Sequence, residues 1–168
     1  MKLLHWILVI LTAAVLLVLS PAVASAAVTY SDSVSGYEVY ATSTEGTFVG
    51  QATGALPGYW ATTVVHTPLS PDAVVTGGDF SVATTLNGTP TLVGGDVTGG
   101  SVIRQNPGDT GCVNQYYGVD LVLGGVGPGG SGSGSGTFGG TLVHRRTFVL
   151  GRCITYAATI NGSLTVTF

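Results

Sequence analysis

The sequence predicts a single all-β domain, an antiparallel β-barrel of about eight strands with a β-sandwich as the alternative, behind an N-terminal signal peptide. Three observations predict it. Beyond the leader, no stretch repeats apolar residues at helical spacing over three turns. Short runs rich in Thr, Val, Tyr and Phe recur instead, divided by Gly, Pro, Asn and Asp. Nothing helical separates these runs, so neighbouring strands are expected to pair antiparallel.

The leader comes first. Lys2 supplies a short positive region, and an apolar run follows from Ile7 to Leu19, interrupted by Thr12. Pro21 precedes Ala24-Ser25-Ala26, small residues of the kind a signal peptidase reads, so residues 1–26 are expected to be removed. As an uncleaved anchor, Leu3 to Leu19 is marginal for spanning a bilayer, which takes about 20 apolar residues. Losing Lys2 takes the formal charge from −3 to −4 and leaves no lysine, which excludes nucleic acid as an expected partner. With the leader gone, no membrane partner is expected. Residues 27–168 suffice for one domain with a core.

Candidate strands run over 37–42, 47–53, 59–66, 80–86, 91–93, 97–104, 113–123, 137–144, 148–150, 153–159 and 164–168. Turns are expected at Leu56-Pro57-Gly58, 68–72, 87–90, 106–110 and Asn161-Gly162. The Gly/Ser-rich stretch 124–140 reads as a long mobile loop within the domain. In the last two segments a three-residue loop, Ile160-Asn161-Gly162, would set Ala158 opposite Leu164, Tyr156 opposite Val166 and Ile154 opposite Phe168. One face would be apolar and the other hydroxylated.

Cys112 and Cys153 are an even pair in an exported chain and are expected to form a disulfide. Closing the loop between them stabilises the fold by about 4 kcal/mol in the chain-entropy model. Cys153 falls on the hydroxyl face, so the bond should tie the rim rather than cross the core.

Arg145, Arg146 and Arg152 are three of the five basic residues. A continuous strand would send adjacent Arg145 and Arg146 to opposite faces, so a bulge or turn is expected there. With His144 they form either a rim that holds an anion or a set of surface ion pairs. No G-x-S-x-G elbow, P-loop, H-E-x-x-H or EF-hand loop is present, so no catalytic residue, metal site or cofactor is assigned. His66 and His144 would each need a partner brought in by the fold. Asp120 lies in the apolar run "YYGVDLVLGG" on the face with Tyr116, Gly118 and Val122, either against a cavity or in solvent.

Gly58-Tyr59-Trp60 has the G-x-W form of the first lipocalin strand, although two predicted strands precede it here. "GTFVGQATGALPGYW", at 46–60, with the glycine-flanked strands that follow and the terminal "GSLTVTF", resembles the secreted dirigent and allene oxide cyclase-like β-barrels. That resemblance implies eight antiparallel strands, often around an apolar cavity that binds or orients a small hydrophobic molecule. It carries no catalytic residue over to this chain. The alternating Ile160, Gly162, Leu164, Val166 and Phe168 are similar to the closing strand of outer-membrane barrels, though most of the expected strands fall short of the about 9–11 residues such barrels use.

The expected function is thus binding of a small hydrophobic molecule by an exported barrel, with Asp120, Tyr116, Tyr117, Trp60 and Tyr156 as candidate ligand-binding side chains. The alternative is a non-catalytic surface or matrix protein that binds cell-envelope polymer through its hydroxyl-rich face; an outer-membrane barrel ranks third.

Overall fold

The computed structural model describes residues 26–168, so the expected leader lies almost wholly outside the described residues. Eight strands follow one another: β1 (Thr29–Ala41), β2 (Glu45–Gly54), β3 (Gly58–His66), β4 (Ala73–Leu86), β5 (Thr89–Arg104), β6 (Gln115–Pro128), β7 (Gly134–Val149) and β8 (Arg152–Thr167). Each pairs antiparallel with its sequence neighbours, and β8 returns to β1, so the sheet closes into a barrel. Val28 and Phe168 exchange backbone hydrogen bonds of 2.9 and 3.1 Å across that closure.

Alternation drives the closure. Val34 on β1, Phe48 on β2, Val119 and Leu121 on β6, and Ile160, Leu164 and Val166 on β8 turn inward and are buried. Intervening Thr and Ser residues turn outward, where Thr29 bonds Thr167 at 2.8 Å and Thr47 bonds Thr63 at 3.4 Å.

The strands are longer and fewer than the sequence segments suggest, because paired glycines continue strands instead of ending them. Asn161-Gly162 is no turn: Asn161 pairs with both Ser35 and Thr141, and Gly162 with Val34 and Gly140. A Cβ on Gly162 would stand 2.7 Å from the Phe138 ring, so the glycine makes room for an aromatic side chain. The expected facing pairs of residues 154–168 therefore do not form, although the inward placement of Ala158, Leu164 and Val166 holds. Stretch 124–140 is likewise strand at both ends, with only 129–133 between β6 and β7. Gly127 and Gly132 let backbones approach where side chains would collide, and Val126 and Phe138 anchor the flanks in the core.

The barrel has two unlike ends. The connections 55–57, 87–88 and 129–133 lie with Val28 and Phe168 at one end. Fully buried Leu56 plugs it, its backbone N–H donating to Asp32 Oδ1 at 2.8 Å, and the Tyr30 and Phe168 rings stack 4.9 Å apart. The connections 42–44, 67–72, 105–114 and 150–151 gather at the other end. That end is open.

Candidate ligand cavity and its rim

Side chains do not fill the open half of the barrel. They leave a cavity of about 220 Å³, floored by Val82 and walled by Val34, Phe48, Trp60, Leu121 and Phe138. Its mouth is framed by Thr42, Ser43, Pro68 and Leu69. Trp60 is held in place by its indole N–H, which donates to the Ser35 carbonyl at 3.1 Å.

The polar groups of the cavity gather toward the mouth. Glu38 is the last inward residue of β1 before a bulge in which the register slips between Glu38 and Tyr40. On the same wall, with only β8 between them, His144 on β7 pairs with Ala158 and precedes a second register shift, between Arg145 and Arg146. Glu38 Oε2 and His144 Nε2 are 3.8 Å apart, too far for a hydrogen bond, and the His144 nitrogen has no other partner among the described residues. Burial raises the Glu38 carboxyl to about 7. Burial, and then the Arg146 charge, lower the His144 imidazole. Near neutrality the contact is thus between a carboxyl poised to lose its proton and a neutral imidazole, not a salt bridge. Tyr117 packs its ring 5.2 Å from His144 and donates its hydroxyl to Gln115 at 3.0 Å. His66 Nδ1 lies 2.7 Å from the Thr67 carbonyl, so this nitrogen carries the proton and donates.

The structure sorts the residues singled out in the sequence. Trp60 and Tyr117 face inward and are buried, and Trp60 lines the cavity. Asp120, Tyr116 and Tyr156 do not line it: Asp120 is exposed on the outer face of β6, Tyr116 is 41% exposed, and Tyr156 is 60% exposed. The reason is parity for the first two, which share the face opposite Tyr117 and Val119. Tyr156 is the extra residue of the bulge opposite Arg146, which breaks its alternation with Ala158.

The basic rim also divides. His144 turns into the lumen, away from an anion site shared with the arginines. Arg145, Arg146 and Arg152 remain on the β7–β8 hairpin with the expected turn at Gly151, but the bulged residue is Tyr156 on β8, so Arg145 and Arg146 stay consecutive in strand, the first exposed and the second half-buried. Among the described residues none of the three has a carboxylate within 4.0 Å, so the expected surface ion pairs do not form.

Sequence reasoning missed Glu38. Its signal was available in the shared parity of Val34, Gly36 and Glu38, but only to a reading that starts β1 at Thr29.

Cys112 and Cys153 form the expected disulfide, with Cα atoms 5.5 Å apart. It ties the β5–β6 connection to the outer part of the β7–β8 hairpin, where Cys153 pairs with Phe148 near the turn, and it indicates an oxidising environment of the extracellular type. Asn114 reinforces the tie by accepting the Arg146 backbone N–H at 3.1 Å.

No protein-family model, curated protein or solved structure matches this chain.

Proposed function

We propose that this is an exported barrel that binds a small hydrophobic molecule in its open half, as a binding protein rather than an enzyme. The observation that carries this reading is a hollow apolar interior with a single unbonded polar pair, Glu38 and His144, toward its open end. At about 220 Å³ the space is smaller than the about 300–1,000 Å³ of drug-sized pockets, which favours a single ring or a short chain. One hydroxyl on such a ligand would fit between Glu38 Oε2 and His144 Nε2 and bond both. The resemblance to dirigent and allene oxide cyclase-like barrels supports the same class of ligand. The inward turn of apolar side chains speaks against an outer-membrane barrel, whose apolar band faces lipid.

Trp60 reports directly on the cavity. Titration with octanol and with cyclohexanol is expected to shift its emission saturably, and Val64→Phe, which fills the lumen, to abolish the shift. Unchanged emission with both alcohols in the native chain would count against the reading.

The outer hydroxyl rows favour a second reading, a matrix protein that binds cell-envelope polymer. Co-sedimentation with insoluble polysaccharide that survives Val64→Phe would support it.

A further inference from the structure

The β7–β8 hairpin carries a residue that its backbone does not favour. Its two-residue turn, Leu150-Gly151, has φ of 49° and 76°. The turn between β4 and β5, Asn87-Gly88, has nearly the same geometry, with φ of 51° and 79°. Asn-Gly is the pair such turns prefer, because Asn tolerates left-handed backbone and Leu does not. Leu150 is nevertheless 99% exposed, so no packing within the barrel compensates for that conformation. Phe148, at 65%, and Val149, at 45%, are exposed beside it.

Charge is arranged around this apolar tip. The hairpin from Arg145 to Tyr156 contains three arginines and no carboxylate. Of the acids at this end, Glu38 faces the lumen beside His144, and Glu45, Asp72 and Asp109 lie on or beside the other connections. Asp72 is engaged with the Arg104 backbone N–H, and Asp109 with the Asn106 side chain. An apolar tip on a hairpin whose three arginines meet no carboxylate among the described residues complements one surface above others: an anionic lipid leaflet, which takes the tip into its acyl boundary and pairs the guanidinium groups with headgroups. Asn114 holds the hairpin at Arg146, and the disulfide holds it at Cys153, the partner of Phe148, so the Leu150-Gly151 turn projects just beyond a fixed base.

We propose that the tip Phe148-Val149-Leu150, with Arg145, Arg146 and Arg152, docks the open end of the barrel on an anionic lipid surface. This departs from the expectation that no membrane partner remains once the leader is gone, which considered the apolar leader and not a local hairpin tip. Docking turns the cavity mouth toward the lipid, so a hydrophobic ligand passes between membrane and lumen without crossing water. That last consequence rests on the ligand-binding reading; docking itself does not, and is read without ligand.

The test is co-sedimentation of the exported protein, its N-terminus checked by mass spectrometry, with phosphatidylcholine vesicles with and without phosphatidylglycerol. Three arginines near the surface are expected to favour the anionic vesicles by roughly 100-fold. Leu150→Asn removes the apolar tip while relieving the turn, so it should melt higher than the native chain yet bind anionic vesicles about tenfold or more weakly. Arg145→Gln with Arg152→Gln should remove most of the preference for anionic lipid. The proposal is overturned if the native chain binds neither vesicle, binds both equally, or binds no better than the Leu150→Asn variant. It is also overturned if the tip pairs two copies of the chain, seen as a dimer that Leu150→Asn dissociates. Loss of the Trp60 response with vesicle binding intact would sink the cavity reading alone.

Discussion

Glu38 is held in a state that water would not favour. Its carboxyl keeps a proton to about pH 7 because it is buried, beside His144 on the far side of β8, with Glu45 and His66 also lining the cavity and Arg146 near the imidazole. Between about pH 4.5 and 7 the folded chain binds a proton that the unfolded chain releases, so Glu38 makes stability fall as pH rises through that window and level off above it. His144 works the other way. Its folded affinity for protons is lowered, so its contribution is present above about pH 6.5 and lost as pH falls. Glu38→Gln is expected to remove the first slope, on the order of 1–2 kcal/mol once the wet mouth is allowed for, and to leave the opposite slope of His144. Urea unfolding across this pH range measures both. A second residue-scale prediction concerns Gly162. Its Cβ would press on the Phe138 ring, so Gly162→Ala should destabilise by about 1–3 kcal/mol in thermal unfolding, instead of stabilising as it would in an ordinary exposed strand.

At the scale of elements, the hairpin and its disulfide act together. Residues 146–155 extend past the bulge, and Phe148 pairs with the disulfide-bonded Cys153. Replacing both cysteines with serine should cost about 2–4 kcal/mol. Hydrogen exchange should show protection lost first in this hairpin, with the buried strands around Val82 and Val126 losing it last. The same elements show what was legible in advance. The Asn87-Gly88 turn followed from glycine's freedom at positive φ; an irregularity was expected at Arg145-Arg146 from the cost of burying a guanidinium, but the extra residue is Tyr156 on the facing strand. The run from 124 to 140 was not legible as strand, because its order comes from pairing with β5 and β8, which composition does not encode. Likewise Asn161-Gly162 carries the local signature of a turn, and only its pairing with β1 and β7, where the Gly139 carbonyl and the Phe138 ring close on Gly162, explains why the strand continues. Asp120 was ambiguous because one strand's parity does not say which face is the lumen.

For the whole molecule, fold class was legible and the site was half legible. Alternation of Val and Leu with Thr and Ser is a property of each segment, and it was enough for an all-β barrel. The cavity depends on how eight inward rows fail to fill their common space, which no single segment states. Size did not separate Trp60 and Tyr117, which are inside, from Tyr116 and Tyr156, which are outside; parity and a bulge did, and Glu38 stays hidden unless its strand is begun at Thr29.

Closure has one more effect. With only 8% charged residues, many of them gathered at the mouth, the chain has little electrostatic repulsion to keep copies apart. A flat sheet of such strands would offer unsatisfied amide and carbonyl rows to its neighbours and would stack. Joining β8 to β1 leaves no such row open, so geometry protects this chain from aggregation where charge does not.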